Sequence, residues 1–382
     1  MTDKRVMMVF GTRPEAIKMA PLVLEFKESA GLEPIVVVTA QHRAMLDQVL
    51  GQFGITPEFD LDLLRPRQSL AKVTARALQG LDRVIEQVRP DMVMVQGDTT
   101  TSFVGALAAF YHRIPVAHVE AGLRTGNAFS PYPEEINRRL TSQLTALHLA
   151  PTPRARANLM REAVSSDSIV VTGNTVIDAL LSTVGRRFAY GDPALADLDE
   201  DPRRVVLATA HRRESWGEGL AAIGRALASV AAEEPDVLIV FPMHRNPVVR
   251  KAILPAFEGM DNIRVVEPLA YGGFARLMER ASILVTDSGG IQEEGPSLGK
   301  PVLVTRETTE RPEAVEAGTV KLVGTNQNLI TKSVLELLRD PDAYEVMANA
   351  VNPYGDGQAT RRTTAAVRHF FGDGPRPDEF GG

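Results

Sequence analysis

The chain has 382 residues, of which 44% are hydrophobic and 24% charged, a length and balance that suit two globular domains with substantial cores. It contains no cysteine, which excludes disulfides, thiol catalysis and zinc–thiolate sites, and no apolar run approaches the roughly 20 residues of a membrane helix. A net charge of −6 argues against non-specific nucleic-acid binding and means that an anionic ligand needs a local pocket of Arg and Lys.

The first residues, MTDKRVMMVFG, lack the apolar core and small-residue cleavage site of a signal peptide, and a cytoplasmic protein is expected. Short β-rich runs then alternate with helical stretches. RVMMVFG, PIVVVTA, MVMVQGD, IPVAHVEAG and TALHLAPT mark the first half. SIVVTGN, VVLATAH, VLIVFPMH, IRVVEP, ILVTDSGG, PVLVTRE and VKLVGT mark the second. Unbroken apolar runs of this length suit strands covered on both faces of a parallel sheet. The expected fold is α/β, with two Rossmann-like domains and a deep cleft between them. Pro21, inside EAIKMAPLVLEF, predicts a kink or break in the first helix. Ile136, Leu140, Leu144 and Leu147 predict an apolar helical stripe after SPYPEE. Residues 185–204 are polar and predict a loop or short helix, and the tail GDGPRPDEFGG predicts disorder.

Polar residues and glycines gather where strands end: Gly11, Thr39, Asp98, Glu120, Asn174, His211, His244 and Asp287. Ligands of open α/β sheets bind beyond those carboxyl ends. FGTRPEAIKMAP brings Arg13, Glu15 and Lys18 after the first strand. Arg13 and Lys18 suit an anion, and a solvated helix face is the plain alternative for Lys18. In VQGDTTTSF, Asp98 is either a cleft carboxylate or the N-cap of the next helix. Glu120, in HVEAGLR, is a poorer capper, which favours chemistry. Glu134, beside Glu135 at a helix start, suits the helix dipole as well as a site. ATAHRRESWG sets His211 before Arg212 and Arg213, a pattern suggestive of phosphate, and FPMHRNP adds His244 to the polar rim. TDSGGIQEEGPSLGKPV leads through Ser288, Gly289 and Gly290 into a helix, as a diphosphate seat or as an ordinary strand-to-helix turn. It is neither a Walker loop nor the dinucleotide GxGxxG. Arg306 and Arg311 follow the next strand, as phosphate ligands or in surface ion pairs. No His/Asp set shows metal-ligand spacing, and neither metal nor cofactor is expected.

Together, GTRPEAIKMAP, TAQHRAMLDQVL, VQGDTTTSF, HVEAGLRTGN, PYPEEINRRLTSQL, GNTVIDAL, TAHRRESWG, HRNP, EPLAY and TDSGGIQEEGPSLGKPVLVTRETTERPEAVEAGT closely resemble the non-hydrolysing UDP-N-acetylglucosamine 2-epimerases. They stand in family order from about residue 5 to 325. The resemblance implies a GT-B fold. Residues 1–168 plus 352–382 would form the first domain, with a final helix near 358–370 crossing back onto it, and 169–351 the UDP-binding second domain. It implies reversible inversion at C2 of UDP-GlcNAc to give UDP-ManNAc, by loss of UDP to 2-acetamidoglucal and re-addition, supplying a precursor for cell-surface polysaccharide.

Carried onto matching positions, Arg13, His211, Phe274, Ser288, Gly289, Gly290, Glu294 and Arg311 contact UDP, while Lys18, Asp98, Glu120 and Glu134 surround the sugar. Asp98, Glu120, Glu134 and His211 are the expected catalytic residues, and crowding is expected to keep one carboxylate protonated. Leu269 stands where some relatives carry Gln near the uracil. A second UDP-GlcNAc, bound as activator, would meet Gln41, Arg67, Gln68, Arg212 and His244, with Ala44 where some relatives are polar. A homodimer is implied, with neither nucleic-acid nor membrane partners. The rival readings are a hydrolysing epimerase, a GT-B glycosyltransferase using a UDP-sugar donor, and a catalytically silent sugar-nucleotide sensor.

Overall fold

The computed structural model describes residues 3–40, 43–63, 65 and 68–381, Ala44 by its backbone alone. Two compact units divide the chain: Met1–Ala179 with Tyr354–Gly382, and Leu180–Pro353. The first holds β1 (Lys4–Phe10), β2 (Leu32–Val38), β3 (Phe59–Asp60), β4 (Met92–Gln96), β5 (Val116–Val119), β6 (Leu147–Ala150) and β7 (Ile169–Val171). They form a seven-stranded sheet in the order β3-β2-β1-β4-β5-β6-β7, paired in parallel throughout. The second unit holds β8 (Arg204–Thr209), β9 (Val237–Pro242), β10 (Ile263–Val266), β11 (Ile283–Thr286), β12 (Val302–Val304) and β13 (Val320–Leu322). Its six strands run β10-β9-β8-β11-β12-β13, also in parallel.

Burial explains why the strands read as unbroken apolar runs. Met7, Val9, Val37, Val93 and Val95 pack under Leu81, Ile85 and Val104 of the covering helices in the first unit. Val206, Ile239, Phe241 and Val285 do so with Ile223, Leu227 and Val334 in the second. Each such side chain, fully withdrawn from water, stabilises its unit by about 1.5–3 kcal/mol. In both sheets the strand order reverses beside the unit's first strand: β1 lies between β2 and β4, and β8 between β9 and β11. The loops leaving those strands splay apart at such a point and leave room for a ligand.

The structure departs from the sequence reading in several places. β7 pairs with β6 in the first sheet, and the units part at Ala179/Leu180, inside the helix Thr175–Val184, rather than at residue 168. The apolar SIVV run alone does not reveal which sheet receives it. The helix Arg13–Glu28 runs through Pro21, because Ile17, Met19, Ala20, Leu22, Val23 and Phe26 bury both sides of the missing bond. The helix Glu134–Leu144 is turned the other way: Glu135, Asn137, Arg138, Thr141 and Ser142 are buried while Ile136 and Leu140 are exposed. Its inner face meets a polar site, so Ile136 and Leu140 point outward, while Leu144 at its end packs on the core. The tail is ordered along the edge strand: Phe380 N–H donates to the Val171 carbonyl at 2.8 Å, and Glu379 bridges Arg156 at 2.5 Å and Arg376 at 2.8 Å. The final helix, Ala359–Phe370, belongs to the first unit as expected. Asp178 caps it from the helix Thr175–Val184, accepting N–H from Thr360 at 2.8 Å and Ala359 at 3.3 Å.

Candidate active site

The carboxyl end of the first sheet is organised by a buried glutamate. Glu15, 1% exposed, accepts N–H from Gly11 at 3.1 Å and Thr12 at 2.8 Å after β1. It also accepts the hydroxyls of Thr99 at 2.7 Å and Ser102 at 3.1 Å after β4. Burial raises its pKa, and these hydrogen bonds only partly offset that rise. Gly11 has to be glycine, since a Cβ there would begin 1.9 Å from Thr39 Oγ1. Thr99, not Asp98, caps the helix Thr100–Tyr111, with its hydroxyl accepting from Ser102 N–H at 3.1 Å. Asp98 is therefore released from capping.

On this frame Asp98 and Glu120 each meet a cation. Asp98 is ion-paired to Arg138, and its carbonyl accepts from Asn137 Nδ2 at 3.0 Å, so the helix Glu134–Leu144 fixes it from two sides. Glu120 pairs with Lys18 and accepts from Asn174 Nδ2 at 3.1 Å, with only 8% of its side chain exposed. Glu120 also has φ of 64°, a left-handed conformation that costs a non-glycine residue about 1–3 kcal/mol and recurs at functional sites. Beside it, His118 is fully buried, and its Nε2 meets the Gly97 carbonyl at 2.7 Å; burial pushes the imidazole down to about 3, so a neutral ring braces the turn that bears Asp98. Asp98 and Glu120 are thus both charge-compensated. Glu134 opens its helix half-buried, with no hydrogen-bond or ion-pair partner among the described residues. Its neighbour Glu135 is structural, accepting N–H from Thr125 and Gly126 at 3.1 Å and contacting Arg138 at 3.3 Å. Arg124 is committed elsewhere, to Glu162 at 2.7 Å. Arg13 lies half-buried at the first position of its helix.

The carboxyl end of the second sheet is organised by Asp287. Fully buried after β11, it accepts N–H from His211 at 2.6 Å and Arg212 at 2.7 Å, both after β8. Its other oxygen lies 3.0 Å from His211 Nδ1, which leaves Nε2 to face away from it. Burial alone would raise the Asp287 pKa, but the His211 ring and the two amides outweigh it and hold the group below the carboxylate range. The His244 ring stacks on His211 with centroids 5.6 Å apart, and burial with the neighbouring imidazole lowers its pKa. Ser288 is the N-cap residue of the helix Gly289–Ser297, and its N–H donates to Thr286 Oγ1 at 2.9 Å. Arg311 lies against Gly289, 2.7 Å from where a Cβ would stand, so a larger residue would push the guanidinium off the helix start. That start carries about +0.5 of a charge and unpaired N–H groups. Glu294, one turn on from Gly290, is buried and accepts from Tyr271 at 3.2 Å; Phe274 follows Tyr271 by three positions on the helix Tyr271–Arg280.

Sequence reasoning therefore placed Lys18, Asp98, Glu120 and Glu134 at one sheet end and His211, Ser288, Gly289, Gly290 and Arg311 at another. It named Glu15, Asn174 and Asp287 but gave them no role in orienting the others. Glu15, Asn174 and Asp287 each had a visible signal, a polar residue closing an apolar run or opening a helix, but nothing in the spacing named their partners. Of the residues expected around a second nucleotide, Arg212 and His244 lie at the His211 end, while Gln68 accepts from Arg65 N–H at 3.0 Å in the first unit. Gln41 and Arg67 lie outside the described residues. Among the described residues no group of three or more His, Asp or Glu is placed to hold a metal ion, and no helix is long and apolar enough to cross a membrane.

A family profile described as UDP-N-acetylglucosamine 2-epimerase matches residues 24–368. The Bacillus subtilis (strain 168) UDP-N-acetylglucosamine 2-epimerase is 52% identical over 383 residues, covering 100% of both chains. The crystal structure of UDP-GlcNAc 2-epimerase from Neisseria meningitidis, bound to UDP-GlcNAc, is 48% identical with a TM-score of 0.86, covering 96% of this chain and 100% of that one. A Listeria monocytogenes protein, named as a candidate for the same enzyme, is 45% identical with a TM-score of 0.93, covering 99% of this chain and 100% of that one. The chain belongs to the UDP-N-acetylglucosamine 2-epimerase family.

Proposed function

We propose that the protein interconverts UDP-GlcNAc and UDP-ManNAc by eliminating UDP and adding it back, without releasing free sugar. The C2 hydrogen has no carbonyl beside it and is inert to a carboxylate alone. Departure of UDP develops positive charge at C1 and acidifies that hydrogen. A carboxylate then takes the proton, 2-acetamidoglucal forms, and proton return to the other face followed by UDP re-addition gives the epimer. The observation that carries this reading is the division of chemistry between the two sheet ends. One end holds the carboxylates Glu120, Asp98 and Glu134 with Lys18. The other gathers Arg311, His211 and a glycine-opened helix start, fixed donors suited to a departing diphosphate. One well-placed donor of this kind is worth about 2.7–4 kcal/mol at a transition state.

In this reading Glu120 is the leading proton carrier. Lys18 and Asn174 hold its carboxylate, its backbone is held in a costly conformation, and it is nearly buried. Asp98, charge-compensated by Arg138, and Glu134 serve the opposite face of the ring or the cationic carbon. Phe274, Glu294 and Ser288 hold the nucleoside and diphosphate, and Arg13 supplies further positive charge. A glycosyltransferase needs one base and an acceptor groove, and the set of carboxylates argues against it. A second UDP-GlcNAc as activator is supported by Arg212 and His244 standing beside His211. Exposed Ile136, Leu140, Phe110 and Tyr111, on two helices packed together, support a homodimer. A cytoplasmic role in supplying polysaccharide precursor completes the reading.

NMR of UDP-GlcNAc incubated with the protein in D₂O tests it. Deuterium should enter C2 of both UDP-sugars while UDP stays attached. Free ManNAc with UDP would show a hydrolysing enzyme, and absence of exchange would leave a transferase or a sensor.

A further inference from the structure

We infer that Glu310 is a resident anion of the diphosphate seat, one that must swing aside when a nucleotide diphosphate binds and so sets the affinity and release rate of UDP. The inference rests on the reading of that seat given above. Three arginines, Arg212, Arg306 and Arg311, converge near the start of the helix Gly289–Ser297. Each is already met by a carboxylate. Glu310 accepts from Arg306 Nη1 at 2.7 Å and Arg311 Nη1 at 2.8 Å, and lies 4.0 Å from Arg212 Nη2. Glu293 accepts from Arg311 Nε at 2.6 Å, and Glu214 from Arg306 Nε at 2.6 Å. A Glu310 oxygen stands 3.1 Å from the point where a Cβ on Gly289 would begin, so a carboxylate already rests at the helix start.

Charge counting then decides what has to move. Glu214, Glu293 and Glu310 already balance the three guanidinium groups without a ligand, and Asp287, shared by the amides of His211 and Arg212 and by the His211 ring, adds a fourth carboxylate nearby. A diphosphate added to that set would bring further negative charge to within contact distance of the carboxylates, where like charges repel strongly. Glu293 is 1% exposed within a helix and is not free to leave. Glu214 meets Arg306 from the solvent side, with 54% of its side chain exposed. Glu310 lies on the irregular stretch between β12 and the helix Pro312–Glu316, and 31% of its side chain is exposed. It bridges Arg306 and Arg311. Burial alone would raise its pKa, but Arg311 and Arg306 hold it down to about 2, so it is an anion at any working pH. When it rotates out, both guanidinium groups turn an Nη1 donor toward the incoming phosphates, with no change in the fold.

Titration calorimetry with UDP, on wild-type protein and on Glu310→Gln and Glu310→Ala, separates this from a positioning role. Both variants should bind UDP about five- to tenfold more tightly, equivalent to about 1–1.4 kcal/mol, and stopped-flow release should slow in proportion. Unliganded variants should also melt at lower temperature than wild type, because two arginines lose their counter-anion. Weaker or unchanged UDP binding by both variants, with wild type still binding, would overturn the inference alone; it would mean that Glu310 holds Arg311 in place for the ligand. Wild-type protein that bound no UDP would overturn the reading of the seat as well.

Discussion

In the first unit, buried Glu15 joins the loops that leave β1 and β4; in the second, buried Asp287 joins the loops that leave β8 and β11. Both carboxylates sit where the strand order reverses, and both accept two backbone N–H groups. Their remaining partners differ. Glu15 takes two neutral hydroxyls, burial dominates, and its pKa rises. Asp287 takes an imidazole, and its pKa falls. The same strap thus holds a loop pair together in one unit, and in the other also fixes the orientation of the His211 ring. The cations differ likewise. Those of the first unit are spread out, Lys18 on Glu120 and Arg138 on Asp98 and Glu135, as suits proton handling. Those of the second are gathered around a helix start, as suits an anion.

The largest effect expected from this contrast is in Glu120→Gln. Deuterium exchange at C2 should fall by about 10²–10⁴-fold, the range for losing an acid–base group, while UDP binding stays within about twofold. Exchange at the wild-type rate would remove Glu120 from the proton path. Asp287→Asn comes next. The amide keeps an acceptor for the two backbone N–H groups but turns an NH₂ toward His211, forcing the other tautomer, so kcat should fall about 10²-fold. A small loss of kcat in a variant that still melts cooperatively would make Asp287 a strap only. Arg311→Ala should weaken UDP binding by about 1.5–3 kcal/mol, the range for a hydrogen bond to a charged group. An unaltered Kd would show that the guanidinium serves Glu293 and Glu310 instead.

The smallest effect separates the two straps by pH. Glu15 has a folded pKa above its ordinary 4.5, so its contribution to stability is complete below that value and is lost as pH rises through the folded one. Asp287 has a folded pKa below its ordinary 3.8, so its contribution is present above 3.8 and is lost as pH falls through the lowered value. Denaturant midpoints measured against pH should show Glu15→Gln gaining on wild type above pH 4.5 and Asp287→Asn gaining below pH 3.8. Identical slopes for wild type and both variants would erase the distinction.

Much of this was legible in the chain itself. Apolar runs closed by a polar residue marked the strands and their carboxyl ends, because parallel strands are buried on both faces and their ends are not. Phe59–Asp60 escaped notice because two residues make no pattern. The pairings were not legible. Lys18 meets Glu120 across 102 positions, and Asp98 meets Arg138 across 40, because strand order brings them together and spacing does not encode it. The inverted helix Glu134–Leu144 shows the same limit: periodicity reports an apolar face, not whether that face looks inward.

The most direct measurement runs the proposed reaction from its midpoint. UDP and synthetic 2-acetamidoglucal, mixed with the protein in D₂O, should give both UDP-GlcNAc and UDP-ManNAc labelled at C2, and Glu120→Gln should give neither while still binding UDP. If the wild-type protein left the glycal untouched, or the variant joined it to UDP as fast as wild type, the assignment of proton transfer to the first unit's carboxylates and of UDP to the second unit's cations would be contradicted.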